Sequence, residues 1–207
     1  MRLLISKSFI ILGSISMAVM ASAYFIYTKN SFFDAKPLSS ELWYAIVFKT
    51  HIALGIISIV AGAYQFIRMF RKSWTSLHRI VGKVYVLSIF ISAPCGLIAA
   101  QFATGGLITR LGFSILAILW FCFTYLAYHH IKLGDVEKHR IWMYRSFALT
   151  FSSLTLRLFL LIALFNPIGF VVVYQFASWG SWIVNIFVCE MILHNANKKR
   201  MIPNPKV

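Results

Sequence analysis

The sequence predicts an all-α membrane protein, a polytopic bundle of about six transmembrane helices around a four-helix core. Three observations predict it. The 207-residue chain is 60% hydrophobic and only 12% charged, with a mean hydropathy of +0.79. Six apolar stretches approach the ~20 residues that cross a bilayer as a helix. The 20 Lys and Arg residues fall mostly between those stretches. A soluble domain carries about a quarter charged residues. An apolar excess this large cannot be hidden in one water-soluble core, so lipid must solvate much of the surface.

Taken in order, the predicted spans are Ser8 to Tyr27, Tyr44 to Ile67, Val81 to Ala103, Leu111 to Tyr128, Phe147 to Phe165 and Phe170 to Leu193. Their connectors are short, so neighbours should pack antiparallel, up and down. No soluble domain fits between them, and residues 1–207 form a single integral membrane domain. Tyr44 to Phe165 is its core, residues 8–27 and 170–193 flank it, and residues 195–207 are a polar, basic tail. The first span has a second interpretation. A short basic start, an apolar run and Ala21-Ser22-Ala23 resemble a signal peptide with its cleavage site. Apolar residues continue through Tyr24, Phe25, Ile26 and Tyr27, which favours a retained anchor; cleavage would leave five helices.

Basic residues set the expected orientation. With the N-terminus inside, 15 of them lie inside: Arg2, Lys7, Arg68, Arg71, Lys72, Arg79, Lys83, Lys132, Lys138, Arg140, Arg145, Lys198, Lys199, Arg200 and Lys206. Only Lys29, Lys36, Lys49 and Arg110 lie outside, and Arg157 is within a span. Both ends are therefore expected on the cytoplasmic side of a bacterial inner membrane. The net charge of +15 is a positive-inside signal with attraction to anionic lipid, not a nucleic-acid footprint, because the charges do not share one soluble face. The cysteines, Cys95, Cys122 and Cys189, sit in apolar runs with no CxxC pair and read as small packing residues.

Polar residues within the spans mark the bundle interior. His51, Gly55, Ser58, Gly62 and Gln65 recur at steps of four and three and form one stripe of the second helix. Ser146, Thr150, Ser153 and Arg157 do the same on the fifth. Small and hydroxyl residues suit helix packing, but His51 and Arg157 ask for more. At 1.5 Å per residue His51 is expected roughly 10 Å and Arg157 roughly 12 Å from the outer helix ends, so they can meet if the two helices are neighbours. Arg157 does not deprotonate. Asp34 and Glu41 lie in the first outer loop and no other acid is expected near that depth, so a bound anionic group, such as a cofactor carboxylate, is one expectation and a water-solvated crevice the other.

The two inner loops end alike. Leu77-His78-Arg79-Ile80 leads into the third helix, and His139-Arg140-Ile141 into the fifth, 61 residues later. Paired imidazoles there can ligate haem iron, and Arg79 and Arg140 can hold propionates. His129 and His130 are further candidates. The plainer alternative is boundary residues that cap loops and touch lipid phosphate. Pro94 is expected to kink the third helix, and Trp43, Trp74, Trp142 and Trp179 fit interfacial belts. Glu190 and His194, four apart, are expected to pair.

His51 with Gly55, Gly62 and Gln65, Leu77-His78-Arg79 with Gly82 and Tyr85, His139-Arg140-x-Trp142-Met143-x-Arg145-Ser146 and Leu156-Arg157-Leu158 together resemble a bacterial family of predicted multi-pass membrane proteins of unknown function. The resemblance covers Tyr44 to Phe165, and HRxWMxRS is its most specific string. In outline the His-bearing core is also distantly similar to the b-type membrane cytochrome and ferric-reductase superfamily. That likeness implies haem between facing helices. The chain departs from it at the outer level, where His51 has no second His and Met20 is the substitute nearest in depth.

Three function classes follow. One is a haem b-binding electron-transfer protein with His78 and His139 as ligands and Arg79, Arg140 and Arg157 beside anionic groups. Another is a small transporter or binding protein for an anionic or lipid-like molecule, lined by His51 and Arg157. The third is a structural or assembly protein whose stripes serve packing. The sequence argues against a soluble-type hydrolase: there are five acids and no GxSxG, HExxH or phosphate-binding glycine loop.

Overall fold

The computed structural model describes residues 2–26, 38–68, 75–164 and 169–201. These form six α-helices: α1 (Arg2–Ile26), α2 (Leu42–Arg68), α3 (Thr75–Ala100), α4 (Gly106–Lys132), α5 (Val136–Leu164) and α6 (Phe170–Met201). Five of them, all but α5, are long and apolar enough to cross a membrane. α5 has 29 residues, with charge concentrated in its first turns and Arg157 further along. Asp34, Lys29, Lys36, Arg71, Lys72, Trp74 and Lys206 lie outside the described residues.

Cross-helix contacts give the topology. His51 meets Ser92, and Gln65 meets His78, so 14 residues along α2 match 14 residues back along α3. The two helices are antiparallel in strict register. Thr124–Ser146 and Trp120–Thr150 fix α4 against α5 in the same sense, and Arg145–Glu190 and Thr155–Asn185 do so for α5 and α6. Gln175 and Trp179 of α6 donate to the Gly105 and Ile108 carbonyls, which sets α6 parallel to α4. α1 joins α2 and α5 through a cluster of Met17, Ala21, Ile59 and Leu154.

Helices outrun the apolar spans. α3 starts at Thr75 rather than Val81, so His78 and Arg79 stand on its first turns instead of in a loop; His139 and Arg140 likewise stand on α5. Backbone hydrogen bonding does not stop where side chains turn polar, and a loop reading from hydropathy ends the helix too soon. α3 also continues through Pro94.

The α4–α5 corner is built from three residues. Gly134 adopts φ 77°, its N–H donates to the Ile131 carbonyl, and the Asp135 N–H donates to the His130 carbonyl, closing α4 in a Schellman motif. Asp135 then caps α5, accepting the Lys138 N–H at 2.9 Å on Oδ1. That backbone bond, with the Lys138 ammonium beside it, holds the Asp135 carboxyl below the usual carboxylate range. The corner sets which faces of α4 and α5 meet.

Those faces carry a buried polar circuit. The Trp120 indole N–H can only donate, and it reaches Thr150 Oγ1 at 2.9 Å. Thr150 and the Tyr85 hydroxyl are 2.9 Å apart, Tyr85 and Ser146 Oγ 2.8 Å, and Ser146 and Thr124 Oγ1 2.7 Å. Thr124 donates to the Trp120 carbonyl at 2.7 Å, an atom that can only accept. The Thr124 end fixes the direction of the Ser146 and Tyr85 hydroxyls, while the Thr150 hydrogen has two acceptors, the Tyr85 oxygen and the Ser146 carbonyl at 3.1 Å. Five donors make five bonds among α3, α4 and α5, and all five residues are buried.

Candidate functional site

Above this circuit, towards the α3–α4 turn, a cavity of about 300 Å³ opens between all six helices. That lies at the small end of ligand sites, which span about 300–1,000 Å³. Its walls are mainly apolar, from Met17 and Ala21 of α1 to Leu156 and Leu160 of α5, and Trp120 and Thr150 bring the circuit to its edge. Hydroxyls such as Ser58, Ser152 and Tyr174 interrupt the apolar lining, and two residues in it can carry positive charge, His51 from α2 and Arg157 from α5. The polar stripes of those helices carry both residues inward, since Ser58, Gly62, Gln65, Ser146 and Thr150 are buried along the same faces.

His51 is held by α3. Its Nδ1 is 2.9 Å from the Ser92 carbonyl, and Ser92 Oγ returns a bond to the His51 carbonyl at 2.9 Å. The ring meets Trp120 edge to face, with centroids 6.4 Å apart. Gly96 lets the ring in: a Cβ there would sit 2.7 Å from the imidazole.

Arg157 is half-buried. Among the described residues one of its five N–H donors is used, by Nη1 on the Ser153 carbonyl of its own helix at 3.1 Å. Among the described residues no acid pairs with it; the ion pairs found there engage Asp135, Glu137 and Glu190. Tyr24 of α1 and Tyr174 of α6 lie within electrostatic reach of the guanidinium, as does His51.

The candidates on the first turns of α3 and α5 form a separate group at the other end of the bundle. His78 is exposed, and its ring lies within electrostatic reach of His139. His139 Nδ1 is 2.8 Å from the Ala127 carbonyl of α4. Arg79 is exposed, whereas Arg140 is bound to Glu137 at 2.7 Å. His129 stacks on Tyr125 and His130 faces Asp135 at 3.9 Å. Arg157 stands with His51, remote from these histidines.

Two sequence expectations change. Met20 is 45% exposed on the outside of α1, and Met17 lines the cavity instead. The readable signal is the series Ser14, Met17, Ala21, Tyr24 at steps of three, four and three, which is the inward face. Glu190 pairs with Arg145, not with His194: Nε and Nη2 grip its two carboxylate oxygens at 2.6 and 3.0 Å. The planar Arg fork fits a carboxylate better than a single imidazole nitrogen does, and Trp142 supports the guanidinium at 4.6 Å. Cys95, Cys122 and Cys189 are unbridged thiols. Trp120 and Thr124 cannot be singled out from the sequence, because a Trp and a Thr in an apolar run carry no pattern until their partners on other helices are known.

A family model described as predicted membrane protein (DUF2306) matches residues 48–193. That stretch takes in His51, His78, His139, Arg157 and about three quarters of α6. No curated protein and no solved structure matches the chain.

Proposed function

The chain belongs to the DUF2306 family of predicted membrane proteins, and from that premise we propose that it binds an amphipathic anionic small molecule in its six-helix cavity, as a binding protein or transporter of the bacterial inner membrane. One observation carries this reading. Arg157 lines an apolar cavity with most of its donors unused and no acid paired to it among the described residues. A guanidinium inside a membrane span, even half-buried, is costly without a counter-charge, and an anionic headgroup supplies it. The apolar walls then take the ligand's hydrocarbon part. The positive-inside count puts the α3–α4 turn, and so this cavity, nearer the outer face, with both chain ends cytoplasmic.

Decanoate tests the reading, titrated calorimetrically into the full-length protein in phosphatidylcholine nanodiscs. Arg157→Leu should weaken binding at least about tenfold, since truncating one partner of a buried charge pair costs 2–5 kcal/mol or more. Arg157→Lys should recover part of it. Equal affinity for wild type and Arg157→Leu rules the reading out.

A second reading rests on the separate proximity of His78 and His139. There the two imidazoles would ligate haem iron and Arg79 would face a propionate, while Arg140 is already spent on Glu137. The His139 Nδ1 bond to Ala127 leaves Nε2 as its ligating nitrogen. Bound haem would supply one-electron transfer. Protein purified from haem-supplemented cells without a Soret band would exclude it.

A further inference from the structure

We propose that the cavity takes up its anionic ligand together with one proton, which is carried on His51. This rests on the anion-binding reading of the same cavity and adds the rule by which binding depends on pH.

The argument starts from the hydrogen on the imidazole. The Ser92 carbonyl, 2.9 Å from His51 Nδ1, can only accept. Ser92 Oγ is also near, at 3.1 Å, but its hydrogen is committed to the His51 carbonyl. Nδ1 therefore carries a hydrogen. Were it bare, its lone pair would face a carbonyl lone pair at hydrogen-bond distance. In the neutral ring Nε2 is then the bare nitrogen.

An anion held by Arg157 shares the cavity with that ring, which lies within electrostatic reach of the guanidinium. Arg157 and His51 stand at one level of the bundle: Gly62 of α2 lies against Phe147 of α5, and the antiparallel helices carry His51 and Arg157 on from there together. Two lone pairs repel, and low-dielectric walls strengthen the repulsion. A proton on Nε2 converts the imidazole into a second cationic donor.

Without the anion that proton is unfavourable. The titratable or charged groups facing His51 from the packed helices are Arg157 on α5, Tyr24 on α1 and Tyr174 on α6. The cavity residues of α3 and α4, such as Gly96, Ala99, Phe113 and Trp120, are uncharged, and so is Phe48 on α2. No carboxylate among the lining residues offsets an imidazolium, and Arg157 opposes it. The anion therefore favours the proton as much as the proton favours the anion, and the coupling is reciprocal.

The probe is 1-decanesulfonate, which stays ionised across the range, so any proton taken up resides on the protein. It is titrated from pH 5.5 to 8 into full-length protein in phosphatidylcholine nanodiscs, in buffers of different ionisation enthalpy. Affinity should rise as pH falls, approaching about tenfold per pH unit, with close to one proton taken up per ligand. His51→Gln should bind with no pH dependence. Binding by wild type without proton uptake overturns the coupling and leaves the anion site standing, and this measurement decides even if His51→Gln does not fold. Persistence of the pH dependence in His51→Gln overturns the assignment to His51. No sulfonate binding at any pH, or undiminished binding by Arg157→Leu, overturns the anion site and the coupling together.

Discussion

His51 and Ser92 are tied in both directions: the imidazole Nδ1 donates to the Ser92 carbonyl at 2.9 Å, and Ser92 Oγ donates to the His51 carbonyl at 2.9 Å. The two bonds do different work. The first orients the ring, and its acceptor is backbone; the second holds α3 against α2. Ser92→Ala removes only the second. It should cost about 1 kcal/mol of stability, the usual net worth of such a bond, read from thermal unfolding in one detergent. Anion affinity and its pH dependence should stay close to wild type, because the ring keeps its carbonyl. A loss of affinity with unchanged stability would mean that the hydroxyl touches the ligand itself.

The circuit through Tyr85 makes a sharper demand. Tyr85→Phe deletes one hydroxyl but takes a partner from two neighbours, since Thr150 loses one acceptor and Ser146 its donor. Leaving buried polar groups unpaired costs about 1–3 kcal/mol. Thr150 already lies 3.1 Å from the Ser146 carbonyl and keeps that acceptor, which holds the expected loss nearer the lower figure. Adding Ser146→Ala to Tyr85→Phe should cost less than the two singles together, and a double-mutant cycle measures the difference. Strict additivity would show that the hydroxyls do not act as a circuit.

The helices, their alternation and the inward stripes could be read from the sequence because each follows from a local rule. Twenty apolar residues span a bilayer, and steps of three and four keep side chains on one face. His51 and Arg157 were legible for the same reason, as costly residues on inward faces. The circuit was not, because Trp120, Thr124 and Tyr85 owe their roles to partners 30, 22 and 61 residues away. The pairing of Glu190 was misread because a residue four positions along the helix is visible in sequence and one across the helix interface is not. Met20 was chosen by depth alone, and depth does not fix the face of a helix.

Arg145 and Glu190 offer a test of that cross-helix pairing. Their side chains are 25% and 45% exposed, so solvent screens part of the attraction. Glu190→Gln should cost about 1 kcal/mol in low salt and less at high salt. Arg145→Gln should cost somewhat more, since it also removes the guanidinium from the Trp142 ring. In a charge-swapped protein, Arg145→Glu with Glu190→Arg, stability should return in part. Since this pair lies at the end of the bundle away from the cavity, decanoate affinity should not change in any of these variants.

Two glycines near the cavity make opposite predictions for the same substitution. Replacing glycine by alanine inside a helix is favourable by about 1 kcal/mol when space allows. At Gly55 it does, for nothing lies within 4 Å of the added Cβ. Gly55→Ala should therefore leave stability unchanged or raise it. At Gly96 the added Cβ would meet the His51 ring at 2.7 Å. The ring cannot simply turn away, because Ser92 on the same helix holds it. Either α3 withdraws from α2 or the Nδ1 bond breaks, and overpacking of this kind costs about 1–3 kcal/mol. Gly96→Ala should lower the unfolding temperature and weaken the pH dependence of sulfonate binding, because a displaced imidazole no longer presents Nε2 at the level of Arg157. Equal stability of the two variants would show that the close approach of Gly96 to His51 is not maintained in the membrane.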